Sequence, residues 1–248
     1  MEKEGIRNIY KLCKILMTSI AICYGLLFLF KFFGVNGGPI SKLIPFIAMM
    51  ATTIIFMKKI DKKSFRDIGL RGNKNIVILS ILLSLIATIP MIYTVLKGEN
   101  LVFESMSFKS IIWIVTYSFI VGFSEEIFIR GYIYSEIKPE KYKIIGSSFI
   151  FALFHIISPE FNLMICFMLF IIGIIFASAF YYIKSLWPLI IFHSIWNLFT
   201  DITPYYKDVL VSMFVYVIML ISTIIFLKLN LYKNEKKQYN KYNEYNIG

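Results

Sequence analysis

The sequence predicts an all-α fold, a polytopic membrane helical bundle of about eight transmembrane helices, and three observations carry that prediction. The first is composition: of 248 residues 58% are hydrophobic, and the mean hydropathy is +0.72, where soluble domains hold roughly 45–50% apolar residues. The second is spacing. Apolar runs recur at 15–33, 40–57, 76–96, 110–134, 142–157, 163–183, 187–201 and 209–228, most of them near the length of about 20 residues that crosses a bilayer core. The third is the sidedness of charge. With these runs as spans, the N-terminus, the segment 58–75, the segment 135–143, Lys184 and the C-terminal tail fall on one side and carry 20 of the 26 basic residues. The other side keeps Lys31, Lys42, Lys97, Lys109 and Lys207, while Arg130 falls inside the fourth run. The positive-inside rule therefore puts both termini in the cytoplasm, in a multi-pass protein of the cell membrane.

Each element follows in order. The run 15–33 comes after a basic N-terminus, as a signal peptide would, but it is too long for a signal core and lacks a small-x-small cleavage site, so it is expected to stay as the first helix. Ile22 before Cys23 also argues against a lipoprotein signal. After the second run, the basic segment 58–75 reads either as a topogenic loop or as an interfacial helix on the anionic leaflet. The fifth and seventh runs are short and each carries a histidine, which suits helices surrounded by protein. In the sixth, Gly173, Ala177, Ser178 and Ala179 are small residues that let membrane helices approach closely. The tail 231–248, rich in Lys, Asn, Tyr and Glu, is expected to be a solubilising, disordered end.

The division along the chain is 1–107 for N-terminal helices and the basic loop, 108–201 for the chemical core, and 202–248 for the last helix and the tail. No internal repeat and no second soluble domain are evident. The net charge of +11 does not make this a nucleic-acid binder, since its basic residues lie between apolar runs and not along one patch. Cys13, Cys23 and Cys166 lack paired spacing, so neither a disulfide framework nor a cysteine metal site is expected.

An ionisable group inside a span costs about 2.5–3.5 kcal/mol on insertion scales, and here such groups cluster. The fourth run holds Glu125, Glu126 and Arg130, the fifth His155, the seventh His193 with Asn197, and the two histidines are the only ones in the chain. Any one alone is as well explained by a buried interhelical hydrogen bond. Together they make an acid, base and oxyanion inventory richer than packing requires. Glu126 and Arg130 are four apart with the acid first, the favourable order for a helix pair. That pairing leaves Glu125, about 100° further round, as the base, although a one-residue rotation would exchange the two glutamates. His193 and Asn197, also four apart, share a helix face. At a rise of ~1.5 Å per residue from the cytoplasmic ends, Glu125, His155 and His193 lie roughly 14, 20 and 9 Å deep, close enough to meet in one hydrated cavity.

The ordered motifs Glu125-Glu126-x-x-x-Arg130, Phe151-x-x-x-His155 and His193-x-x-x-Asn197 resemble those of the CPBP family, the CAAX-protease and bacteriocin-processing membrane peptidases also called ABI. The similarity covers mainly 108–201, with context in Ser185-Leu186-Trp187-Pro188 and Gly69-Leu70-Arg71. The resemblance implies hydrolysis of a peptide bond within the membrane, with Glu125, His155, His193 and Asn197 catalytic and Glu126 and Arg130 completing the first motif. It also implies a hydrophobic, lipidated or membrane-bound peptide as substrate, and a role in CAAX processing, bacteriocin maturation or self-immunity. The family is often described as metalloproteases, and His155, His193 and Glu125 would form a two-histidine, one-carboxylate zinc set. Against a metal, the chain has no His-Glu-x-x-His helix, and Asn197 is a poor zinc ligand, so a metal-free glutamate mechanism ranks slightly ahead, with zinc or another divalent metal as the alternative cofactor. The rival is a non-catalytic immunity or peptide-binding protein using the same cavity. A proton-coupled transporter ranks third, because no matching pair of broken helices is present.

Overall fold

The computed structural model describes residues 2–34, 37–72, 74–89, 106–157 and 162–202, together with Ile218, Ser222 and Ile225. The run 209–228, apart from those three positions, the tail 231–248 and residues 90–96 of the third run lie outside the described residues. Among the described residues the fold is all-α, without strands. The helices are α1 (Glu2–Phe32), α2 (Ile44–Ile54), α3 (Lys74–Ala87), α4 (Phe108–Glu125), α5 (Lys143–Phe154), α6 (Leu163–Ile183) and α7 (Trp187–Ile202). A 3-10 turn, Pro39–Leu43, leads into α2, and a π turn, Ile55–Ile60, prolongs it. The α4 rod continues through a π stretch, Glu126–Ile133, into a last turn, Tyr134–Glu136. The expected count of about eight is thus seven among the described residues.

Local chemistry sets several of these ends. Ser107 caps α4 by accepting a hydrogen bond from the Ser110 N–H at 3.2 Å, and Asn162 caps α6 from the Ile165 N–H at 2.9 Å, each satisfying an amide that the helix leaves unpaired. Helix α5 closes into the 3-10 turn His155–Ile157.

Among the described residues, the helices long and apolar enough to cross the bilayer are Gly5–Phe32, Pro39–Ile60, Phe108–Glu136 and Leu163–Ile183. Helices α5 and α7 have 12 and 16 residues; at ~1.5 Å per residue they fall short of the ~30 Å hydrocarbon core. They pack on long neighbours, α5 on α6 and α7 on α4, while α7 also meets α3 and α1 lies along α2. The core centres on the π stretch, where Ile127, Phe128, Ile129, Tyr132 and Ile133 pack with Met57, Phe151, Phe176 and Leu186. Large apolar side chains such as Phe28, Phe32, Phe108 and Phe119 stay exposed, as lipid-facing surface does.

Three of the segments that charge counting assigned to one side, the N-terminus, 58–75 and 135–143, meet at one end of the bundle. Lys11 of α1 bridges Asp61 at 2.6 Å and Glu136 at 2.5 Å, and Lys63 also pairs with Glu136. Tyr132 donates to Asp61 at 2.6 Å, and Asn8 accepts from the Lys138 N–H at 3.0 Å. Burial pushes the Asp61 carboxyl up, but hydrogen bonds from Lys11 and Tyr132 and the nearby Lys63 charge outweigh it and hold the group below its ordinary value. The segment 61–72 is a loop and not an interfacial helix, and it is tied down by apolar and backbone contacts. Ile68 is buried, the Leu186 N–H donates to the Gly69 carbonyl at 2.8 Å, and Arg71 Nε donates to the Lys184 carbonyl at 2.9 Å. Gly69 has φ +98°, and a Cβ there would stand 2.5 Å from the Phe180 ring, so both backbone and space require glycine.

Candidate active site

The site begins at a helix crossing. Helices α4 and α7 approach at Gly122, where a Cβ would come within 2.6 Å of Ser194 Oγ and 2.9 Å of the Ser194 nitrogen. Gly122 precedes Glu126 by four residues and Ser194 follows His193, so the close approach carries His193 onto the two glutamates. The Glu126 N–H still reaches the carbonyls of Gly122 and Phe123, closing the α-helix, and the backbone then widens into the π stretch Glu126–Ile133. Inserted π turns are frequent at functional sites, and this one spans both Glu126 and Arg130.

Glu126 and Arg130 are fully buried and paired, with Arg130 NH1 donating to Glu126 Oε1 at 3.0 Å. The same Oε1 lies 2.9 Å from His193 Nδ1. A carboxylate at Nδ1 assigns the proton to that nitrogen, which leaves Nε2 turned toward Glu125 Oε2 at 3.8 Å, longer than a hydrogen bond. His193 therefore stands between two carboxylates, held by one and facing the other. Glu125 Oε2, Glu126 Oε2, Arg130 Nε and Arg130 NH2 are buried with no hydrogen-bond partner. Such groups are otherwise uncommon in protein interiors, and they collect at one locus.

Aromatic rings wall the cluster. The Arg130 guanidinium sits 4.0 Å from the Phe151 ring centre and 5.3 Å from that of Phe176. Phe176 stacks on the His193 ring at 5.8 Å and 21°, while Phe151 meets it edge-on at 6.4 Å.

The structure thus gathers Glu125, Glu126, Arg130 and His193. His155, half-buried at the end of α5, packs on Phe151: its Nδ1 is 2.9 Å from the Phe151 carbonyl and its ring lies 4.8 Å from the Phe151 ring. Asn197 lies one turn beyond His193 on α7, half-buried, with its backbone carbonyl accepting from Thr200 Oγ1 at 2.9 Å. The set His155, His193 and Glu125 does not converge as metal ligands would; among the described residues no three His, Cys, Asp or Glu side chains are grouped in that way. His193 Nδ1 is engaged by a carboxylate that a guanidinium already neutralises.

The motif spacing foretold the Glu126–Arg130 pair, but not that Glu126 also holds His193. Gly122 and Ser194 were legible in principle, being small residues in helical register with the motifs. Phe176 carries no signal in the sequence.

Two carboxylates, an imidazole and a guanidinium buried in a bundle of apolar helices define a membrane protein with acid–base chemistry at its centre. Residues 107–199 match the family model described as type II CAAX prenyl endopeptidase, Rce1-like. The matched segment contains all three motifs and is consistent with the CPBP family. No curated protein and no solved structure matches the chain.

Proposed function

We propose that this protein is an intramembrane endopeptidase that hydrolyses a peptide bond in a lipid-bearing or otherwise membrane-bound peptide, by a glutamate-dependent mechanism. The observation that carries the proposal is His193, held through Nδ1 by Glu126 at 2.9 Å with Nε2 facing Glu125 at 3.8 Å, inside the matched segment. Amide hydrolysis needs an activated water, charge stabilisation at the tetrahedral oxyanion and a proton for the leaving amine. Glu125, with an unpartnered oxygen at the cluster, takes the proton of the attacking water, assisted by His155. The water oxygen bonds the carbonyl carbon, and His193 and Asn197 face the resulting oxyanion. Collapse breaks the C–N bond as Glu125 returns its proton to nitrogen. Glu126 and Arg130 position His193. The exposed apolar surface suits a substrate arriving within the bilayer, so its recognition elements are a lipid chain or an apolar helix. Maturation of a bacteriocin or another peptide, or self-immunity, are the settings in which such cleavage would act.

The test uses the purified protein with matched peptides that do and do not carry an isoprenoid, reading products by mass. Cleavage of the lipid-bearing peptide by the parent and not by Glu125→Ala or His155→Ala supports the proposal. Binding of the peptide without cleavage by any form points to the peptide-binding alternative. Loss of activity after thorough chelation, restored by zinc, would replace the glutamate mechanism with a metal one.

A further inference from the structure

Helix α6 carries none of the three motifs, yet it supplies the flat surface on which the His193 ring lies. We propose that Phe176 is a positioning residue for His193, fixing the plane of the imidazole so that one nitrogen meets Glu126 while the other faces Glu125. Three contacts carry the inference. The Phe176 ring stacks on His193 at 5.8 Å and 21°, lies 5.3 Å from the Arg130 guanidinium carbon, and is met edge-on by Phe192 of α7 at 5.6 Å and 72°.

Geometry explains why such a wall is needed. A hydrogen bond at Nδ1 alone leaves the imidazole free to swing about the bond from Cβ to the ring, because that torsion is broad and roughly two-fold. A stacked ring removes the freedom by excluding the tilted orientations. Phe151, meeting His193 only edge-on at 6.4 Å and 84°, fixes where the ring is without fixing its plane. Phe176 itself is 7% exposed, so its ring is held by packing. It also covers Arg130, whose charge is attracted to aromatic faces and which would otherwise compete for orientations of the Glu126 carboxylate. One aromatic side chain from outside the motifs therefore constrains both partners of Glu126.

The inference rests on the peptidase reading for its catalytic consequence but not for its structural one, and the test separates the two. The protein has two histidines, so selective labelling with nitrogen-15 histidine gives two sets of ring signals in detergent, and a His155→Gln form assigns them. In the parent, the His193 ring protons are expected upfield, in the ring current of Phe176. In Phe176→Leu that shift should vanish while the His155 signal stays, and Phe176→Tyr, which keeps the ring, should restore it. On a cleaved peptide, Phe176→Leu should lower kcat about 10-fold or more with KM held, within the roughly 10²-fold cost of a misplacement of about 1 Å, and Phe176→Tyr should recover it. Unchanged His193 signals in Phe176→Leu overturn the inference. A lost shift in a protein whose parent cleaves nothing leaves the positioning role intact and counts against the peptidase reading. If Phe176→Leu does not fold, Phe176→Met, flexible and similar in volume, is read by the same criteria.

Discussion

Glu126 accepts from both Arg130 and His193 on a single oxygen, and Glu125 accepts from neither. The two neighbouring carboxylates therefore differ in what their loss should do. Glu126→Ala leaves Arg130 as an uncompensated buried charge, a change that costs about 3–5 kcal/mol, so a large fall in Tm is expected together with loss of the His193 arrangement. Glu125→Gln leaves both contacts of Glu126 in place, and a near-parental Tm is expected with cleavage reduced about 10²–10⁴-fold, the usual contribution of a general base. If the stability effects were reversed, the roles of the two residues would be too. The Glu126–Arg130 pair was legible in the sequence because a spacing of four is a local property of a helix. The His193–Glu126 contact spans 67 positions and depends on how α4 and α7 cross, which no local pattern encodes.

At the level of the element, the crossing at Gly122 sets how near α7 comes to the glutamates. Gly122→Ala adds a methyl where Ser194 Oγ and the Ser194 backbone stand within 2.9 Å. The helices must separate, and the expected result is loss of cleavage with retained helicity by circular dichroism; unchanged kinetics would show that the crossing does not position His193. The helical runs themselves were legible from hydropathy, down to the shortness of the fifth and seventh. The π stretch was not, because an extra residue in a helix changes hydrogen-bond register without changing composition. The basic loop 61–72 could be read two ways, since charge alone does not distinguish a surface helix from a loop whose Ile68 is drawn into the core.

Across the whole molecule, one polar clamp gathers α1, the basic loop and the end of α4 at the same end. Asp61 belongs to it, with a carboxyl held below its ordinary value of 3.8. A group whose folded value is depressed adds stability above its unfolded value and loses it as pH falls through the folded one. Tm should therefore drop as pH falls below 3.8, and Asp61→Asn should lower Tm near neutrality and reduce that drop; the same acid sensitivity in both forms would contradict the clamp. The ends of the α2 rod carry exposed Lys42 and Ser64. In a chain freed of native cysteines, Lys42→Cys and Ser64→Cys should react with an impermeant thiol reagent from opposite sides of the membrane, Ser64→Cys from the cytoplasmic one. The charge count anticipated that the N-terminal segment, the basic loop and the segment after α4 lie together, because sidedness is a property of the whole chain. The number of spans was less legible, because a short apolar helix sheltered by longer neighbours has the same composition as one that crosses.

The most direct measurement is the cleavage rate of one lipid-bearing peptide by the parent and by Glu125→Gln, both reconstituted in liposomes and matched in Tm. A fall of at least about 10²-fold with the fold intact is the predicted result. Equal rates in the two forms would contradict the assignment of Glu125 as the base and, with it, the mechanism built on His193 between the two glutamates.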